Sequence, residues 1–350
     1  MQPPKTFPAK LTLLLYHRFK FFKAARDKGF IILPCELIEN NASELKSAIK
    51  KYCELWKLEA AFAEWIETSN TFCNTLVDRI VPGFNAESAK EILDTKAIED
   101  KLCVDAEQFH LWVIEGPEWI KKEFPTDKAG LNVIFANDIK PYRSRKVRLL
   151  NGPHTLMTPV AYLAGIEFVK EAVEHTVIGK FILDTIKYEI TPTINLPEKE
   201  LNDFASEVLN RFKNPFVKHS LLSISLNSIS KFKSRLLPSL KVYAELKNKL
   251  PERIVLSMAS LFVFYSGKNA GKIIPVNDDA EILAFFKTLW ENFDKGTTSA
   301  KEIVTQTLAN KAFWGEDLSK IPGLEERTTF YMEIILKSGV YAALEQLKAN

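Results

Sequence analysis

Near Pro141 the hydrophobic pattern of this chain changes period, and that change limits its architecture more than any other feature. Before it, helical and strand-like stretches alternate. Residues 11–25 have helical periodicity, with Leu13, Leu14, Tyr16, His17, Phe21 and Phe22 on one broad face, and Gly29 stops the run. Phe30-Ile31-Ile32-Leu33 reads as a short buried strand ending at Pro34. Helices are expected over 42–56, capped by Asn41 or Ser43, and over 60–75. Strands are expected over 109–115 and 130–136. After Pro141 helical patterns dominate: 156–172, 198–210, 236–250, 254–265, 279–292, 299–312 and 331–349. The expected fold is mainly α, an α/β piece over 1–140 followed by an all-helical domain over 141–350, with the boundary near 138–143.

Several classes of function are disfavoured by what the chain lacks. With 47 basic and 44 acidic residues, the net charge of +3 predicts no general attraction to nucleic acid or membranes. Cys35, Cys53, Cys73 and Cys103 include no CxxC pair, which fits reduced thiols in a cytoplasmic protein better than a zinc site or a disulfide framework. The N-terminus has no apolar signal-like region, and the apolar stretch 254–265 is too short to cross a bilayer. No Gly-x-Gly occurs, hence no dinucleotide fingerprint, and neither GxSxG nor HExxH is present. Gly267-Lys-Asn-Ala-Gly271-Lys272 is one residue short of a phosphate loop and reads as a surface turn.

The chemistry concentrates in Lys146-x4-Asn151-x2-His154. Asn151 and His154 stand three apart and share a helical face, while Lys146 lies a turn earlier and relies on its long stem. An amine, an amide and an imidazole at this spacing can deprotonate an alcohol, hold the resulting oxygen and orient the carbon that carries the hydride, without a metal. Pro153 has no N–H and crowds the carbonyl of Leu149, so the helix should kink or begin there, and Pro159 should repeat the break. On spacing alone, a solvated helix start is the better explanation of the trio, because most charged residues are simply exposed.

This motif, with its continuation through Gly165, resembles the signature of the mannitol dehydrogenase family, the polyol-specific long-chain dehydrogenases. Four further segments agree in order: Pro34-Cys-Glu-Leu-Ile-Glu-Asn-Asn41, Asn74-Thr-Leu-Val-Asp-Arg-Ile80, Phe109-His-Leu-Trp-Val-Ile-Glu115 and Asn214-Pro215. The resemblance implies the later part of a Rossmann-type α/β domain followed by a helical C-terminal domain. The version at 34–41 points to members that interconvert D-tagaturonate and D-altronate by NAD-dependent, zinc-independent hydride transfer. Related mannonate, fructuronate or polyol dehydrogenases are the alternatives.

By that resemblance Lys146 is the general acid/base, Asn151 donates to the carbonyl or alkoxide oxygen, and His154 bonds a substrate hydroxyl. Asp78, Lys231 and Asn41 are its expected substrate-binding residues, no metal is implied, and the partner is a small sugar acid met by a monomer. An ion pair with Arg79 competes for Asp78. Lys231 lies in the basic cluster Lys218, His219, Lys231, Lys233 and Arg235, where a uronate carboxylate is a fitting partner. Two family positions depart: an oxyanion-hole asparagine falls on Leu37, leaving Asn40 or Asn41 to replace it, and an arginine falls on Ser223. The glycine-rich dinucleotide-binding half is expected to be missing, so cofactor-binding residues stay unassigned. This favours weak NADH binding and slow turnover, and sets a non-catalytic helical remnant against the enzyme reading.

Overall fold

The computed structural model describes residues 4–81, 84, 86–96, 100 and 102–347. It divides into two compact units, Met1–Ile80 with Gln108–Arg143, and Val81–Glu107 with Ser144–Asn350. A single cut near residue 140 would have left Val81–Glu107 in the first unit.

In the first unit, Thr6 caps α1 (Phe7–Phe21) by accepting the Ala9 N–H, and Pro8 supplies a preset first turn. Leu15 and Phe19 of α1 pack on Phe62 and Trp65 of α3 (Ala60–Ser69) and on Ile49 of α2 (Asn41–Leu55). Between α1 and α2 runs β1 (Ile31–Ile32), which pairs in parallel with β2 (Thr71–Phe72). Gly29 is not the helix stop, because α1 has already ended at Phe21. A Cβ at Gly29 would lie 1.5 Å from the Ser69 carbonyl oxygen, so glycine is what lets the β1 entry pass the end of α3. That end comes at Ser69 rather than residue 75: Asn70 accepts the Phe30 N–H and donates to the Trp65 carbonyl, and its side chain thus turns an apolar run into a strand. A second sheet orders β3 (Thr75–Asp78), β4 (Leu111–Glu115) and β5 (Val133–Ala136), with β3 antiparallel and β5 parallel to β4. At the start of α2 the expected Asn41 accepts the Ala42 N–H at 2.9 Å, and Asn74 joins it, its Oδ1 accepting from the Ala42 and Ser43 N–H groups at 3.1 and 3.2 Å.

The short α5 (Ile120–Glu123) belongs to the first unit and α6 (Lys140–Lys146) spans the change at residue 143, while the second unit contains α4 (Ala86–Lys96) and a helical bundle. At its centre α7 (Gly152–Leu163) is buried from Gly152 to Ala161, which explains an apolar sequence with no polar face. Around it lie α8 (Val169–Glu174), α9 (Thr176–Thr185), α10 (Glu198–Phe212), α11 (Leu221–Ile224) and α12 (Ser228–Arg235). There follow α13 (Leu237–Lys247), α14 (Glu252–Phe264), α15 (Ala280–Asp294), α16 (Ala300–Ala309), α17 (Lys311–Trp314) and α18 (Leu324–Gln346). The helix expected over 156–172 is two, because Gly165 at φ 86° ends the first, whereas Pro159 is carried inside α7 by packing against α14. Residues 268–273 form a hairpin of β6 (Lys268–Asn269) and β7 (Lys272–Ile273), turned by Ala270 and Gly271, both at positive φ. Among the described residues no helix is long and apolar enough to cross a membrane.

Candidate active site

Lys146 ends α6, His154 lies in the first turn of α7, and Val147–Asn151 between them is a π-helical turn. Its closing bond runs five residues, from the Gly152 N–H to the Val147 carbonyl. The turn stands directly before Pro153, whose ring crowds the Leu149 carbonyl, so the expected kink appears as a widened turn. A second π turn, Ile186–Ile190, stands in the same relation to Pro192, which supports that cause. The consequence is register. In an α-helix Lys146 and Asn151 would point about 140° apart. A π turn stacks residues five apart, so both side chains share a face with His154.

His154 is buried, and among the described residues its Nε2 has no hydrogen-bond partner. The Phe212 ring of α10 lies 4.2 Å from its imidazole, and the ring of His219 meets it edge-on at 4.9 Å. Burial pushes its pKa well below the ordinary histidine value, and the charges of His219, Arg235, Arg211 and Lys146 add to the effect. It is therefore a neutral imidazole at pH 7. The half-buried Lys146 is close enough for its charge to be felt there.

Cations converge on this face from α10 and α12. Arg235, the last residue of α12, donates from Nη1 to Thr155 Oγ1 at 3.1 Å, and Thr155 donates in turn to the Asn151 carbonyl. Arg211 of α10 forms a two-bond pair with Glu107, at 3.1 and 2.8 Å. Lys231 donates to the Ile224 carbonyl at 2.8 Å. Burial lowers its amine to about 8, with Arg235 adding to the effect and Asp278 opposing it. Asp278 itself accepts from the Tyr265 hydroxyl and the Asp279 N–H.

Two of the expected residues belong to the first unit. Asp78 closes β3 and is buried. Asn41 is buried, with its amide engaged on both sides: Nδ2 donates to Pro34 O and Thr75 Oγ1, and Oδ1 accepts from the Ala42 and Thr75 N–H groups. Among the described residues, no three His, Cys, Asp or Glu side chains gather into a metal-holding group.

Comparison with known proteins decides the family. The model described as "Mannitol dehydrogenase C-terminal domain" matches residues 138–336, and "Mannitol dehydrogenase Rossmann domain" matches residues 5–128. The chain belongs to the mannitol dehydrogenase family. As a member it is an NAD-dependent oxidoreductase. Among its relatives, "Altronate oxidoreductase" of Bacillus subtilis (strain 168) is 48% identical over 99% of this chain and 70% of its own length. The protein of that description from Pectobacterium carotovorum (strain PC1) is 44% identical over 98% and 71%. Mannitol 2-dehydrogenase of Pseudomonas fluorescens, solved as a ternary complex with NAD and D-mannitol, shares the fold at a TM-score of 0.77 and 23% identity. That alignment covers 99% of this chain and 67% of the other. The expectation that the dinucleotide-binding half is largely missing finds no support in these matches, because the Rossmann-domain model is met over residues 5–128.

Most of the Rossmann-domain match falls in the first unit. The pairs β1–β2 and β4–β5 are parallel, and α/β sheets of this kind take ligands at their carboxyl strand ends. Leu37, the first departure, is exposed in the loop after β1, and Ser223 in α11 donates to the Ser220 carbonyl. Sequence reading missed the partnership of Arg211 with Glu107 and the closeness of His219 and Arg235 to His154. The basic cluster signalled the last two, but Lys218 and Lys233 of the same cluster remain exposed.

Proposed function

We propose that this chain interconverts D-tagaturonate and D-altronate, with Lys146 as the general acid/base. The observation that carries the reading is the π turn, whose register puts Lys146 and Asn151 on the face of His154, a buried imidazole whose Nε2 has no hydrogen-bond partner among the described residues. Relatives described as altronate oxidoreductases at 43–48% identity support the substrate. NAD, when bound, supplies hydride acceptance in one direction and hydride donation in the other.

In the oxidative direction the Lys146 amine takes the proton of the carbinol hydroxyl. The Asn151 amide donates to the same oxygen as negative charge builds there. Neutral His154, gripped by the Phe212 ring, bonds a neighbouring hydroxyl through Nε2 and fixes which carbon faces the cofactor. Lys231 draws the acid end of the substrate. In the first unit Asn41 holds the shape of the 34–41 loop, and Asp78 is carried as a substrate-binding residue by the family resemblance alone. The donor set is amine, amide and imidazole, so the proton transfer is assigned to these side chains rather than to a metal-bound oxygen.

The test is NADH oxidation by this chain with D-tagaturonate, D-fructuronate and D-fructose in parallel. Preference for D-tagaturonate is expected. Turnover confined to neutral D-fructose, or failure to bind NADH, would overturn the proposal.

A further inference from the structure

Guanidinium groups in the second unit are mostly matched by carboxylates: Arg211 by Glu107, Arg253 by Glu189, Arg327 by Glu252 and Arg145 by Glu200. Two are not: Arg148 donates to the Thr193 and Ser239 hydroxyls, and the other is Arg235. Among the described residues its hydrogen-bond partner is the neutral Thr155 hydroxyl, and it forms no ion pair. Lys231, four residues earlier and therefore on the same face of α12, likewise donates to a neutral carbonyl. Nearby Asp278 already spends its two oxygens on Tyr265 and Asp279. Burial pushes Arg235 down to about 10 and Lys231 to about 8. Among the described residues the counter-charge acting on this pair is that of Asp278 on Lys231, so one of the two partly desolvated cations stays unbalanced unless a ligand supplies an anion.

The shape of the group says what that ligand carries. With Nη1 pinned on Thr155, the guanidinium keeps its other N–H donors in a planar fork, which matches a carboxylate through two parallel bonds. Thr155 adjoins His154 and donates to the Asn151 carbonyl, so the fork is registered to the acid/base face through one hydroxyl. Building on the acid/base reading above, we infer that Arg235, with Lys231 beside it, grips the substrate carboxylate and sets the preference for sugar acids over neutral polyols.

The experiment compares kcat/KM for D-altronate and for D-mannitol in the full chain and in Arg235→Gln, which keeps an N–H donor for Thr155 and loses the charge. The acid-to-neutral ratio should fall roughly 10- to 100-fold, mostly through the KM for D-altronate, as expected for losing a charge-assisted bidentate pair. Arg235→Lys should recover part of that loss. Equal losses on both substrates, or a ratio within about threefold of the parent, would overturn the inference, since a merely structural role lowers both alike. If Arg235→Gln does not fold by circular dichroism, Arg235→Lys decides: an unchanged ratio overturns, and a ratio reduced by roughly threefold or more supports. A parent chain that prefers D-mannitol would instead bring down the functional proposal, and this inference with it.

Discussion

Removing Glu107 should unfold the second unit more readily than its place before β4 suggests. Its carboxylate meets Arg211 through bonds of 3.1 and 2.8 Å, and the two side chains are only 3% and 8% exposed. A buried pair that loses one member leaves an uncompensated charge, at about 3–5 kcal/mol. Glu107→Ala should fall near the upper end. It takes the Glu107 carboxylate from a guanidinium in a neighbourhood where His219, Arg235 and Lys146 already bear on His154 alongside Arg211. Arg211→Met strands a carboxylate beside those cations, which soften the loss to roughly 3 kcal/mol. The double variant Glu107→Leu with Arg211→Met removes both charges, and should lie within about 1 kcal/mol of the parent. Urea unfolding of the four proteins, followed by circular dichroism and closed as a double-mutant cycle, gives the coupling directly. A Glu107→Ala cost below about 1 kcal/mol, or a double variant as unstable as the sum of the singles, would show that the pair does not hold this segment.

Three further outcomes are expected. Lys146→Ala should lower kcat by roughly 10²- to 10⁴-fold with a smaller change in KM, read from steady-state NADH absorbance; an unchanged kcat would remove Lys146 from the proton transfer. Because the Lys231 amine titrates near 8, it is charged below that pH and neutral above it. Calorimetry should therefore show D-altronate affinity falling roughly tenfold from pH 7 to pH 9, and Lys231→Gln should abolish most of that fall. Gly29→Ala places a Cβ 1.5 Å from the Ser69 oxygen, and should cost the first unit about 3 kcal/mol or more in urea unfolding; a loss under ~1 kcal/mol would contradict the close approach.

What could be read early was whatever depends on neighbours in sequence. The dominance of helix after Pro141 and the buried character of 254–265 follow from local periodicity, and α14 is buried from Ile254 to Phe264 accordingly. The strain at Pro153 was legible too, since a missing N–H acts on a carbonyl four residues away. Where a distant side chain joined or replaced a local signal, local reading fell short. Asn74 joins the cap of α2 from 32 residues away, and Asn70 ends α3 by bonding Phe30 across 40.

The amino-acid sequence by itself therefore determined the helix-dominated plan, the Lys146–Asn151–His154 motif and the disturbance just before Pro153, because each is governed by backbone chemistry within a turn or two. Only the tertiary structure decided that His219, Arg211 and Arg235 surround His154, that Glu107 neutralises one of these cations, and that Arg235 is left facing a neutral hydroxyl. The contacts of Arg235 with Thr155 and of Arg211 with Glu107 join residues 80 and 104 positions apart. Charge balance inside a protein depends on what packing brings together, and spacing along the chain carries little record of it.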